Sequence, residues 1–365
     1  MKTQNKILIV TRIIKGKDHI FQKIIAQAEA FTNIGFEVDI IYVNENYDLF
    51  FNEKAIVNLR SRIGIQFLFF KYINNRVNLG KYAWVYLRNP FLINQISYIK
   101  FLHRMKSNGA KIILEIPTYP YKDELKGILQ KSIYYAEISF SFLLKKYLTK
   151  VLYSGNRKDF IYGVEAVQLA NVGDTKKMPL SLNEFSNERI VLISVSGCMI
   201  YHGNDRIIEG LNNYYKKNNN VDVEFYIVGD GPYLNEYKQL VDKYKLKHVV
   251  HFFGSLYGEE ADEVFNKANI GISCVGMHRI GLREGSPLKT AEYGVRGLPI
   301  VLGYEDLSFS NCNFCYNIDQ SDKPIDIDKL VSWFISNKFE KKEIRKYVYD
   351  NVTWEKQFEK ILGIS

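Results

Sequence analysis

Short runs of Ile, Leu and Val alternate with longer stretches of helical periodicity along most of this chain, and the alternation stops once and starts again. A chain written this way has few options, because strands separated by helix-length segments pair in parallel and bury both faces under helices. Lys6 to Val10 reads as a strand, Ile20 to Thr32 as a helix stopped by Gly35, and Glu37 to Val43 as a second strand, which makes a βαβ unit. Further strands are expected at Trp84 to Leu87, Lys111 to Ile116, Val151 to Tyr153 and Ala166 to Leu169, with a helix over Asn94 to Lys106. Polar residues then run to Glu188. Beyond them, strands are expected at Arg189 to Val195, Glu224 to Val228, Val249 to Phe253, Ile270 to Ser273 and Pro299 to Leu302, with Asp205 to Asn212 in a helix. At 365 residues the chain is too long for one ordinary core. The expected division is a first Rossmann-like domain over 1–172, a linker over 173–188, a second over 189–342 and a closing helical segment over 343–365.

The segment Arg283-Glu284-Gly285-Ser286-Pro287-Leu288-Lys289-Thr290-Ala291-Glu292 sets two carboxylates eight positions apart. Glu284 lies in a Gly/Ser/Pro loop and Glu292 in the helix that Ser286-Pro287 would open. The start of that helix, in the turn Gly285-Ser286-Pro287-Leu288, would offer a diphosphate its unpaired N–H groups, Pro287 having none of its own. Lys289 would add a charge, Glu292 would accept hydrogen bonds from ribose hydroxyls, and Glu284 would face a sugar. The competing reading is a solvated helix face. Gly229-Asp230-Gly231-Pro232 follows a strand, so Gly229 and Gly231 allow either a tight turn or close approach of a ligand to backbone. No Walker loop and no G-x-G-x-x-G fingerprint is present.

The Glu284–Glu292 segment resembles the E-x7-E signature of retaining glycosyltransferases of the GT-B fold, family 4, in wording closest to bacterial surface-polysaccharide transferases. Val228-Gly-Asp-Gly-Pro232 resembles that family's V-G-x-G-P turn. Met277-His278-Arg279-Ile280-Gly281 resembles its L-H-R-x-G run, and Glu115-Ile-Pro-Thr-Tyr-Pro-Tyr121 a phrase of the same subgroup. The resemblance implies two Rossmann-like domains facing a cleft, with a C-terminal helix crossing back to the first. It also implies a nucleotide diphosphate-sugar on the second domain, with UDP expected and GDP the alternative. Catalytic roles fall to Glu284, Lys289 and Arg206, and donor contacts to Glu292, the Gly285–Leu288 turn, Gly197, His202, Gly229, Gly231, Arg279 and Gly16. Thr118, Tyr119, Tyr121 and His278 would meet the sugar or its acceptor. The chain departs from the family where an arginine and a lysine usually hold the diphosphate, since Cys198 and His202 stand there, and no histidine follows the Glu115 strand. Arg206 is expected to replace the missing charge, its alternative being a surface ion pair with Glu209; the alternative for Tyr119 and Tyr121 is packing.

Residues 1–180 carry 27 Lys and Arg against 14 Asp and Glu, a net +13, while the rest carry 22 against 26, a net −4. The basic half suits an anionic membrane surface, and no nucleic-acid-binding motif accompanies it. Ser141 to Lys150 and Ile99 to Lys106 mix apolar residues with cations, as interfacial helices or ordinary amphipathic core helices do. Four cysteines supply no disulfide framework, and Cys312-x-x-Cys315 lacks a partner set for zinc. No metal or cofactor is expected, and neither a signal peptide nor a membrane span, which implies a cytoplasmic protein, peripheral on the inner face of the cell membrane. The expected activity is sugar transfer from a UDP-sugar or GDP-sugar to a lipid-linked saccharide or other glycan acceptor. A protein acceptor, a sugar-nucleotide epimerase, a phosphorylase and a silent nucleotide-sugar-binding partner are the alternatives.

Overall fold

A computed structural model describes residues 5–15, 20–122, 125, 127–172, 178–185, 188–217, 220–309 and 312–364. The chain divides into two units, Met1–Leu169 with Trp354–Ser365, and Ala170–Thr353. Gly16, with Asp18 and His19 beside it, and residues 173–177, 186 and 187 of the expected linker lie outside the described residues.

In the first unit the strands are β1 (Lys6–Lys15), β2 (Glu37–Asn44), β3 (Asp48–Phe51), β4 (Lys54–Asn58), β5 (Trp84–Arg88), β6 (Lys111–Ile116), β7 (Lys150–Tyr153), β8 (Phe160–Ile161) and β9 (Val164–Gln168). They form one sheet in the order β4-β3-β2-β1-β5-β6-β7-β9-β8. The helices are α1 (Ile20–Asn33), α2 (Arg62–Arg76), α3 (Gln95–Ser107) and α4 (Ile128–Leu144). Ile7 to Val10 are buried on both faces, which is why the first strand reads as an unbroken apolar run. β3 and β4 form an antiparallel extension on β2. Their residues, Asp48 to Asn58, mix half-buried apolar positions with exposed polar ones and show no strong alternation, so periodicity does not reveal them. Gly35, at φ 94°, ends α1 as expected, and Ser61 and Asn94 cap α2 and α3.

The second unit is built on β10 (Arg189–Val195), β11 (Asp222–Val228), β12 (Val250–Gly254), β13 (Ile270–Ile272), β15 (Ile300–Leu302) and β17 (Cys315–Asn317), parallel and in the order β12-β11-β10-β13-β15-β17. Strand β10 shows how two cores arise from one run: Ile190 and Leu192 enter one cluster, Val191 and Ile193 the other. Between the strands lie α5 (Asn204–Tyr215), α6 (Leu234–Tyr244), α7 (Gly258–Phe265) and α8 (Leu288–Val295), followed by α9 (Ile327–Ser336) and α10 (Lys341–Asn351). A two-residue pair, β14 (Glu284–Gly285) and β16 (Glu305–Asp306), stands apart from the main sheet. The closing segment is two helices rather than one. α10 packs on α8 in the second unit, whereas α11 (Trp354–Leu362) packs on α1 in the first, with Phe358 stacked on Phe31 at 4.0 Å between ring centroids.

In both sheets the chain starts in the middle, fills one side and then the other. The reversal falls between β1 and β5 in the first unit and between β10 and β13 in the second. The carboxyl ends of strands at such a reversal diverge into a crevice, which is where open α/β sheets bind ligands.

Candidate functional site

The second unit's crevice is walled by the loops after β10 and β13 and by the start of α8. Pro287 stands at the N-cap of α8 and has no side-chain donor or acceptor to offer, so no side chain closes that end. This contrasts with α2, α3 and α9, whose Ser61, Asn94 and Asp326 accept from backbone N–H groups. The Thr290 N–H bonds back to the Pro287 carbonyl at 3.1 Å, which leaves Leu288 and Lys289 as the N–H groups of the first turn without an intrahelical acceptor. The helix begins one residue later than expected.

Lys289, 8% exposed, runs inward from this turn. Its Nζ has no hydrogen-bond partner among the described residues. The thiol of Cys274 beside it is a weak, neutral acceptor. Burial, the larger cause, lowers its pKa against the pull of neighbouring thiols and Glu292. An isolated buried ammonium is costly unless an anion joins it.

His202 bounds the same space from the β10–α5 loop. Its Nδ1 accepts from the Met199 N–H at 2.9 Å, so Nε2 carries the proton of the neutral ring. Burial and the charge of Lys289 push its pKa down to about 3. His202 is therefore a neutral donor near an anion site, and a base role is disfavoured.

Glu292, half-buried one turn further along α8, has among the described residues one ion pair, with Arg296 Nε at 3.9 Å. Burial raises its pKa despite the Arg296 charge. A carboxylate this lightly held can accept hydroxyl hydrogens. Glu284 lies in β14 opposite Glu305 of β16, outside the helix as expected. Ser286 is buried and Leu288 exposed, while Gly285 packs its Cα face toward Met277, where a Cβ would come within 3.0 Å of Cε.

Beneath this loop lies a hydroxyl network that the sequence did not announce. Thr290 Oγ1 and Tyr304 OH are 2.6 Å apart, each is 2.8 Å from Ser273 Oγ, and Tyr304 donates to Asp306 at 3.1 Å. Burial pushes the Asp306 carboxyl up to about 7. Since Asp306 pairs with Gly285 across β14 and β16, the network ties α8 and the Glu284 loop to the sheet. Nothing in the local wording of Gly303-Tyr-Glu-Asp306 signals this.

The expected arginines are engaged within the protein, and the expected glycines take the tight-turn alternative. Arg206 is 2% exposed, and its guanidinium donates to the carbonyls of Lys323 at 2.8 Å, Asp319 at 3.0 Å and Val275. Buried there, with each of its three nitrogens donating to a backbone carbonyl, it is held by the architecture and is not a surface partner of Glu209. Arg279 is gripped by both Asp205 oxygens at 2.8 and 2.6 Å and by Asp322 at 2.6 Å, with His278 on the same Asp322 at 3.1 Å. Its charge is neutralised in place, and His278 serves this cluster. Gly229 and Gly231 are required by packing between loops: at φ 124° and 151°, a Cβ on either would lie 1.9 Å from the carbonyl of Ser196 or Gly197. Gly197 itself is exposed and open.

In the first unit, a cavity of about 260 Å³ lies at the β1/β5 reversal, lined by Arg12, Ile13, Arg88, Phe91, Pro117 and Thr118 among others. Thr118 thus faces a cavity, as expected of a substrate wall, and Tyr121 reaches its lining too. The Tyr121 hydroxyl, however, donates to the buried Glu137 at 2.5 Å, joined there by Tyr162 at 2.9 Å, so that hydroxyl is structural. Tyr119 packs edge-on against Tyr153 and Tyr162. Arg12 and Arg88 escaped the sequence reading because each is a lone cation after an apolar run. Among the described residues no helix is long and apolar enough to cross a membrane.

Residues 182–307 match the family model described as Glycosyl transferases group 1. That stretch, about a third of the chain, contains every element of the crevice just described. No curated protein matches the chain in sequence. Solved structures do match in fold. A glycosyltransferase from Rickettsia africae superposes with a TM-score of 0.58 at 14% identity, over 99% of this chain and 98% of that one. The lipopolysaccharide outer core galactosyltransferase WaaB in its apo form gives 0.59 at 13%, over 99% and 100%. Anabaena Alr3699/HepE in complex with UDP gives 0.59 at 10%, over 99% and 100%. At these identities the likeness is one of fold, the two-domain Rossmann-like GT-B fold, and the family model matches within the chain's second half.

Proposed function

We propose that the protein is a glycosyltransferase, a retaining enzyme of family 4 that moves a sugar from a nucleotide diphosphate-sugar, a UDP-sugar in the first instance and a GDP-sugar in the second, to a lipid-linked saccharide in the synthesis of a bacterial surface polysaccharide. One observation carries the reading: a buried, unpartnered lysine beneath an uncapped helix start, with a lightly held carboxylate one turn further on. A diphosphate supplies the anion that Lys289 and the N–H groups of Leu288 and Lys289 lack, and the ribose of the same molecule supplies hydroxyls for Glu292. The Anabaena protein's complexes with UDP and UDP-glucose favour UDP as the nucleotide.

As the bond from sugar to phosphate breaks, negative charge grows on the diphosphate and positive charge on the sugar carbon. Lys289 and the helix N–H groups stabilise the first, and Glu284, beside the donor sugar, the second. His202 contributes a neutral N–H. The acceptor hydroxyl attacks from the face the diphosphate leaves, and its proton passes to the departing phosphate oxygen, so no protein nucleophile is needed. In this reading the protein's own groups meet the leaving charge and no metal is called for. The acceptor is taken by the first unit, whose cavity has an apolar wall of Ile13, Phe91 and Pro117 that suits the lipid part of such a molecule. The enzyme then works at the cytoplasmic face of the cell membrane.

A second reading, a silent nucleotide-sugar-binding partner, is favoured by one fact: with Arg206 and Arg279 engaged elsewhere, Lys289 is the crevice's remaining cation among those expected to hold the diphosphate. Incubating the protein with a panel of UDP- and GDP-sugars, with and without membrane lipid extract, separates the two. Lipid-dependent release of nucleotide from one donor, lost in Glu284→Ala, is the expected result. Donor binding without release from any sugar would replace the transferase by the silent partner.

A further inference from the structure

The helix α4 is apolar on two sides. Its inner side sets Ile133 and Leu144 into the first unit. Its outer side presents Ile128, Tyr135, Ile138 and Phe142, exposed by between 39% and 88%. Ile128, Tyr135 and Phe142 are seven residues apart and Ile138 is three beyond Tyr135, which puts all four along one stripe. A helix that is apolar all round is ordinarily covered all round.

The polar groups of this side are arranged for a dry surrounding. Ser132, Ser139 and Ser141 turn their hydroxyls back onto the carbonyls of Ile128, Tyr135 and Ile138 at 3.0, 2.8 and 2.8 Å, so the hydroxyl hydrogens need no water. Lys131, Lys145 and Lys146 frame the stripe, all exposed, while the helix's one acid, Glu137, is buried on the opposite side. The bias extends to the neighbouring helices: between Glu53 and Glu115 the chain has eleven Lys and Arg and no Asp or Glu, and this stretch contains all of α2 and α3. By contrast Ile99 to Lys106 behaves as an ordinary core helix, with Phe101, Leu102 and Met105 buried.

We infer that the outer stripe of α4 is the surface by which this protein seats itself on an anionic lipid bilayer, with Ile128, Tyr135, Ile138 and Phe142 in the acyl boundary and Lys131, Lys145 and Lys146 at the headgroups. The inference rests on the proposed lipid-linked acceptor only for its purpose; its grounds are the stripe and its charge. Nucleic acid would match the cations but not the bare aliphatic side chains. A second copy of the chain would bring two basic surfaces together. A bilayer with anionic lipid satisfies both features at once.

Flotation with phosphatidylglycerol/phosphatidylcholine vesicles tests it, using the full chain, the pair Ile138→Ser with Phe142→Ser, and the pair Lys145→Glu with Lys146→Glu. The wild type should float with anionic vesicles at low salt and detach as salt rises. The serine pair should lower the vesicle partition by about tenfold or more with thermal melting and nucleotide binding unchanged, and the glutamate pair should lower it for anionic vesicles. Equal flotation of wild type and serine pair, no flotation of the wild type, retention on nucleic acid in place of vesicles, or a dimer that the serine pair dissolves would each overturn the assignment. Sugar transfer to a detergent-dispersed acceptor keeps the two proposals apart: transfer without flotation removes the bilayer surface and leaves the enzyme, whereas flotation without transfer does the reverse.

Discussion

Each unit buries a charge near the reversal of its sheet, and the two charges are kept in opposite ways. In the first unit Glu115, 1% exposed, receives Arg88 at 2.7 Å, Lys23 at 3.1 Å and the Tyr86 hydroxyl at 2.8 Å. Burial alone would raise its pKa, but Lys23 and Arg88 bring it down to about 2. In the second unit Lys289 is buried with no such shell, and its pKa is lowered instead of supported. A buried charge with all its partners in place belongs to the architecture. One left without them marks a place where the protein's binding energy is still to be realised by a ligand.

The contrast can be broken most forcefully at Glu115. Glu115→Ala strands Arg88 and Lys23 around a vacated carboxylate and should cost about 3–5 kcal/mol, read as a lower denaturant midpoint. A loss under about 1 kcal/mol would mean that the pair is screened and the comparison false.

Arg206 belongs on the architectural side as well. Arg206→Ala leaves three buried carbonyls without donors, so a loss of roughly 2–4 kcal/mol is expected in the same measurement. If stability held and nucleotide affinity fell instead, the arginine would return to the diphosphate.

Lys289 should behave in the opposite sense. Lys289→Met removes an unpaired buried charge, and the empty protein should melt no lower than wild type, while nucleotide diphosphate affinity measured by calorimetry drops by about 2 kcal/mol, roughly thirtyfold. The pH dependence sharpens this. A lysine whose folded pKa lies below its unfolded value binds fewer protons when folded, so its contribution to stability rises with pH between the two values. In Lys289→Met that rise should vanish. A variant that loses stability and keeps its affinity would make Lys289 a structural residue.

The smallest effect is expected at Glu292. Glu292→Ala should weaken nucleotide binding by about 1 kcal/mol, the scale of a hydrogen-bonded pair, with stability near wild type. Unchanged affinity would remove the ribose role.

The local patterns were read well where one physical rule dominated. Strand β10 was expected and found at Arg189–Val195, because a strand buried on both faces is an unbroken apolar run. Gly35 ended α1 because only a left-handed turn fits there. The β3–β4 pair was missed, since its residues are stabilised by pairing with β2 and by side-chain bonds such as Asn52 to Asp39, at 2.8 Å, that no periodicity reveals. In the crevice, Glu292 and the start of α8 were legible from the Ser-Pro opening and the spacing of carboxylates. Asp306 and Tyr304 were not, because their network joins three separate segments, those of Ser273, Thr290 and Tyr304 with Asp306.

What the sequence determined alone is therefore what depends on neighbours along the chain: the alternation of elements, the point where the pattern restarts and the helix opening between Glu284 and Glu292. Tertiary structure decided which cations are available. Arg206, Arg279 and Lys289 read alike as charges near a sheet edge, yet the first meets three carbonyls, the second two carboxylates and the third, among the described residues, no charged or carbonyl partner, only the Cys274 thiol. A charge's chemistry is set by the partners within about 4 Å of it, and those arrive from segments distant in the chain.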